Sequence, residues 1–208
     1  MRTELVTAPN GPPVTLDQVR DWLAFAETVR DDDQVLEDVI NEVTMLIERK
    51  TNRKLVTQTW AAWFDEADLE VYDLDGAAGP SWGQSPDLVR VPLYPLVSIT
   101  GVSSFDSDGT ETVLTTDDYD ARVGDYPMVH FTSLGTLRRF DAVKVTASVG
   151  YGASGAITDD DILMLVKGLV LHQYQTKGVG YQATVTGQLV SIPQQYRDQL
   201  NELRVRPV

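Results

Sequence analysis

The chain has 208 residues, 42% of them apolar and 23% charged, enough apolar material to bury a core and to exclude global disorder. Its 31 acidic against 17 basic side chains leave a net charge of -14, which opposes tight nucleic-acid binding, since affinity for phosphates comes mainly from Lys and Arg displacing counterions. There is no cysteine, so a disulfide framework and a thiolate metal site are both excluded, and a reducing compartment fits.

The length suits one large domain or a small one carrying an insertion. The opening stretch MRTELVTAPNGPP has no apolar core of signal-peptide length. The most apolar run, ILMLVKGLVL, is interrupted by Lys167 and Gly168 and is too short to cross a bilayer. The expectation is a soluble intracellular chain with no membrane partner.

A helical zone is predicted from Thr15 to about Lys54. Thr15 and Gln18 form a capping box, with Val14 placed against the first turn. Leu16, Val19, Leu23 and Ala26 follow at spacings of three and four, RDDDQ (30–34) breaks the pattern, and Leu36, Val39, Ile40, Val43, Leu46 and Ile47 form the stripe of a second helix. Asp32 and Asp33 at its start, and Arg49, Lys50, Arg53 and Lys54 near its end, suit the helix dipole.

Residues 55–149 read as six to eight short strands. KLVTQTWAAWF is rich in β-branched and aromatic residues. Pro92 and Pro95 make the next strand an edge, or start it after Pro95. SFDSDGTETVL reads as a hairpin turning at Asp108-Gly109. DDYDARV, PMVHF and AVKVTASV complete the zone, and 75–87 is a Gly/Pro/Ser-rich loop. Helix then returns: Thr158 and Asp161 read as its cap, and Ile162, Leu165, Val166, Leu169, Val170 and Tyr174 as its buried stripe. After a polar connection over 177–191, Pro193 opens a last helix bearing Tyr196, Leu200 and Leu203, and RVRPV closes the chain as an extended tail.

Neither helix pair has a sufficient core alone. The predicted fold is therefore α+β: a small helical bundle from 1–54 and 150–208, with an inserted antiparallel β-sandwich or barrel-like domain over 55–149.

Chemistry finds little foothold. Gly150, Gly152 and Gly155 spell G-x-G-x-x-G, but a dinucleotide cradle needs a doubly covered parallel strand and an open helix N-terminus. Here Val143, Val145, Ala147 and Val149 alternate with polar residues, and Asp159, Asp160 and Asp161 would repel a phosphate. A flexible corner is the better reading, and no cofactor is expected. Asp106, Asp108 and Gly109 suit a turn, not the spacing of a calcium loop. RDDDQ and TDDDI read as helix caps; they would hold a divalent ion, and support a metal-dependent hydrolase, only if they met in space. The reading is no metal site and no enzyme. His130 and His172 stand in no nucleophile motif. Trp60 and Trp63 are assigned to the β core, whereas Trp82, in the Gly/Pro loop, is a candidate partner contact.

Taken together, PVTLDQVRDWLAF, DDDQVLEDVINEVTMLIERKTNRKLVTQTW, VSSFDSDGTETVLTTDDYD, AVKVTASVGYG, TDDDILMLVKGLVLHQYQ and IPQQYRDQL resemble the head–tail connector (adaptor) family of tailed bacteriophages and gene-transfer agents, in its longer branch with an inserted β domain. The resemblance spans nearly the whole chain. It implies a structural virion protein that binds beneath the portal protein as a twelve-fold ring and extends the DNA channel. It also implies a docking surface for a downstream connector, stopper or tail-terminator protein, and a C-terminal segment (Arg204, Val205, Arg206, Pro207, Val208) that reaches the portal. Assembly in the host bacterial cytoplasm, on the portal as template from a monomeric free chain, is the matching expectation. DNA would traverse the lumen without specific binding, in keeping with the acidic charge. The alternative is a carbohydrate- or protein-binding module whose β domain is the working part.

Overall fold

The computed structural model describes residues 1–24, 32–69, 88–124, 126–132, 134–178 and 192–205. It is an α+β chain that divides into two compact units, Met1–Ala8 with Gln58–Gly150 and Pro9–Thr57 with Tyr151–Val208.

The second unit is helical. In α1 (Leu16–Trp22) the Gln18 amide donates to Thr15 Oγ1 at 3.2 Å, and the Thr15 amide donates to Gln18 Oε1 at 2.8 Å, so the expected capping box satisfies two of the end's orphan donors. The helix α2 (Asp33–Thr51) buries Leu36, Val39, Ile40, Val43 and Ile47 on one stripe and stops where Asn52 turns left-handed. Against α2 pack α1, α3 (Asp160–Gly178) and α4 (Gln194–Glu202). Ile162, Leu165, Val166, Leu169 and Val170 of α3, with Leu200 of α4, join the α2 stripe in one core. Each such side chain is worth roughly 1.5–3 kcal/mol when fully buried. Gly168 lets α4 approach α3 closely: a Cβ there would stand 2.6 Å from the Tyr196 hydroxyl oxygen.

Two start signals shift. Asp159, not Thr158, caps α3, its Oδ1 accepting from the Ile162 amide at 3.1 Å, while the Thr158 hydroxyl donates to the Tyr151 carbonyl. Pro193 takes the N-cap position of α4 instead of its first helical residue.

The first unit is built of β1 (Arg2–Thr7), β2 (Gln58–Phe64), β3 (Leu88–Arg90), β4 (Leu96–Phe105), β5 (Glu111–Leu114), β6 (Tyr119–Arg122), β7 (Met128–Phe131) and β8 (Val143–Val149). A five-stranded antiparallel sheet has the order β1-β2-β8-β4-β5, and a three-stranded sheet the order β3-β7-β6. Ala62, Phe64, Val102, Val143 and Val145 of the larger sheet and Val89, Val129 and Phe131 of the smaller share one core, a two-sheet sandwich. β4 begins directly after Pro95, which removes the missing donor from the ladder.

Residues 1–8, grouped above with the helical bundle as part of 1–54, contribute β1 to the other unit, paired to β2 from Arg2–Trp63 to Thr7–Thr59. As the outer strand of its sheet β1 buries no side chain, so it lacks the apolar alternation that reveals a half-buried strand.

Candidate interaction surfaces

The glycine corner folds as a hairpin. The short strands β9 (Gly152–Ala153) and β10 (Ala156–Ile157) pair with each other, and Gly150, Gly152 and Gly155 all have positive φ. A Cβ on Gly152 would collide with the Ala156 carbonyl oxygen, and one on Gly155 would lie 2.7 Å from Thr15 Cγ2. The Gly155 carbonyl accepts from Gln18 Nε2 at 2.8 Å, which ties the corner to the start of α1. These glycines are spent on a tight turn and a close packing contact. The start of α3 lies five residues beyond Gly155, with Asp160 and Asp161 in its first turn.

Arg30 and Asp31 of the first acidic run lie outside the described residues, and its Asp32 and Asp33 each engage another helix. Asp32 sits at the N-cap of α2 without a capping bond, and its Oδ2 accepts from the Tyr174 hydroxyl at 2.6 Å. Burial first, and the Asp32 carboxylate second, push the Tyr174 phenol up to about 12. Asp33 forms an ion pair with Arg20, which joins α1 to α2. Asp106 Oδ1 accepts from the amides of Asp108 and Thr110, the local turn chemistry expected of it. Among the described residues no group of three His, Cys, Asp or Glu side chains could hold a metal ion. His130 is exposed on β7 beside Asp120 of β6, and His172 lies on α3 with its ring 6.5 Å from that of Tyr196.

At the C-terminus the buried Arg53 fixes the root of the tail. Its Nε donates to the Leu203 carbonyl at 2.7 Å and its guanidinium donates to the Tyr151 hydroxyl at 2.6 Å. The Val205 amide then donates to the Thr51 carbonyl at 2.9 Å, so the chain leaves α4 along the end of α2 with Arg204 exposed. Beside that exit, Glu42, Met45, Leu46, Arg49, Asn52, Lys54 and Gln173 line a groove of about 710 Å³, and Met45 is 64% exposed. Arg206, Pro207 and Val208 lie outside the described residues, as do Trp82, the loop 75–87, and residues 179–191 of the polar connection.

The two tryptophans of β2 part company. Trp60, half-buried, packs at the margin of the β core and donates to Gln58 Oε1. Trp63 was assigned to the core as well, but it lies on the opposite face of the sheet from Ala62 and Phe64. Residues three apart on a strand must face opposite ways. From the neighbouring strands Arg2 and Lys144 approach its ring at 4.5 and 5.1 Å, and Phe105 packs on it at 5.5 Å. Arg138 covers Phe105 at 4.4 Å, and Arg139 covers Phe140, which is 67% exposed. Arg2 also donates to Asp141 at 3.0 Å, the main reason its pKa is raised. Aromatic rings flanked by arginine are the composition of interface hot spots, not of a core. The alternation of β2 could have revealed this position; its cationic neighbours, drawn from two distant strands, had no local signal.

No protein-family model and no curated protein matches the sequence. Solved structures do share the fold. A chain in a structure of the virion of a native gene transfer agent (GTA) particle matches with a TM-score of 0.69 at 18% identity, covering 100% of this chain and 97% of that one. Chains from the neck of an empty GTA particle, computed with C6 symmetry, and from the neck of a native GTA particle, computed with C12 symmetry, match at 18% identity with TM-scores of 0.68 and 0.67 and the same coverage.

Proposed function

We propose that this chain is a structural component of a particle neck, a head–tail connector that binds beneath the portal protein as a ring. In this reading it lengthens the DNA channel and offers its far side to a downstream connector, stopper or tail-terminator protein. One observation carries the reading: the whole fold, helical unit and β unit together, is shared end to end with chains from GTA necks. Fold likeness alone does not transmit function, so the site must agree. It does so in two respects. Asp106, Asp159 and Asp32 serve a turn, a helix cap and a bond between two helices, which are structural roles. The net charge of -14 suits a conduit that DNA traverses without sticking.

Arg204 and Val205, rooted by Arg53, begin the segment assigned to the portal, with Arg206, Pro207 and Val208 completing it. The free chain is monomeric in this reading and closes into a twelve-fold ring on the portal. Native mass spectrometry of the isolated chain, and of its mixture with the portal protein of the same particle, tests this. A monomer alone and a multi-copy complex with portal are expected. Absence of any complex with portal overturns the reading.

A further inference from the structure

The five-stranded sheet is electrically lopsided, and that asymmetry identifies a partner. Arg138 stands over Phe105 of β4, next to β5, whereas at the β1 side Arg2 and Lys144 stand over Trp63 and Arg139 over Phe140, joined by the Met1 ammonium group and interleaved with Glu4, Asp65, Asp68 and Asp141. Charge there is balanced. At the β5 side, residues 106–118 carry Asp106, Asp108, Glu111, Asp117 and Asp118 and no lysine or arginine. Two chains of charge -14 repel one another, and approach is easiest where the repulsion is locally relieved.

We propose that a second copy of this chain docks its β5 flank against the β1 flank, with Arg2 facing Glu111 of the next copy. The placement supports it. Arg2 lies opposite Trp63, and Glu111 lies opposite Phe105, and the two rings pack on the same face of the sheet, so both charges sit on one face at its two outer strands. The Arg2 side chain is 51% exposed and Glu111 is exposed. A patch that meets a different patch on its neighbour is a heterologous contact, which propagates around a ring; a patch that meets itself stops at a dimer. Exposed Phe140 and half-buried Trp63 supply the apolar contact beside the charges. This inference rests on the ring reading above and names its subunit interface.

The chain has no cysteine, so introduced ones report cleanly. R2C, E111C and R2C/E111C chains are each assembled on the portal protein and oxidised, and the products are separated without reductant. A ladder of covalent oligomers from the double variant, and none from either single variant, is expected. A double variant that assembles but gives no ladder overturns the interface while leaving the neck reading intact. So do dimers from R2C alone, which mark a self-facing contact. If wild-type chain does not join the portal at all, both fall.

Charge reversal guards against a cysteine variant that fails to fold. R2E and E111R should each lower the assembled fraction about tenfold at low salt, and R2E/E111R should restore it. No restoration, with all three chains folded by circular dichroism, overturns the pairing.

Discussion

The Tyr174 hydroxyl donates to Asp32 between the third and second helices, and its pKa of about 12 has a consequence with a definite sign. The folded state holds this proton more tightly than the unfolded one, where tyrosine titrates near 10. The contribution is therefore complete below pH 10 and is lost as pH rises toward 12. Tyr174→Phe should cost about 1 kcal/mol at pH 7, the net worth of one hydrogen bond. Thermal melts of the two proteins should converge between pH 10 and 12; a constant difference across that range would refute the assignment. The same residue lies on the predicted apolar stripe of its helix, but its partner, more than a hundred positions away, was invisible to local reasoning.

Among the elements, those with short-range causes were legible. The Thr15–Gln18 box, the alternation of Val143, Val145, Ala147 and Val149, and the turn around Asp106 and Gly109 all hold in the structure. Each depends on residues within a few positions of one another. What escaped depended on the sheet as a whole. β1 is held by its ladder to β2 and shows no buried face, and Trp63 is placed by its strand's parity and then surrounded by cations from β1 and β8. The cap of α3 fell one residue from its expected place because Thr158 and Asp159 are both competent caps and only packing chooses. The box on α1 offers a direct check. Thr15→Ala should destabilise by about 1 kcal/mol and lower the melting temperature by about 2–4 °C, whereas Thr15→Ser should restore most of it. An alanine variant as stable as the parent would remove the box from the account.

For the molecule as a whole, the helical unit is assembled from two stretches whose ends meet. The Thr57 amide donates to the Gly152 carbonyl at 2.8 Å, so the chain leaves and re-enters this unit at nearly one point. Among the described residues its core is made by side chains of these two stretches. Replacing 58–150 with a short Gly/Ser linker, and starting at Pro9, should therefore leave a folded helical protein. Circular dichroism with a cooperative melt is the expected result. An uncooperative, molten product would show that the helical core depends on the β unit.

The position of β8 bears on how the chain comes into being. It is the middle strand of the five, flanked by β2 and β4, yet it is the last of them to be synthesised. Until residue 149 has left the ribosome, the β1–β2 and β4–β5 pairs have no strand to join them, and α3, which seals the other core, emerges later still. Such dependence on distant pairings slows folding and prolongs the exposure of unpaired strand edges. The β unit must therefore wait for residue 149, and the helical unit for α3 and α4, before either can close, and a nascent chain stalled before Val143 would offer the facing edges of β2 and β4 to whatever chaperone stands nearest.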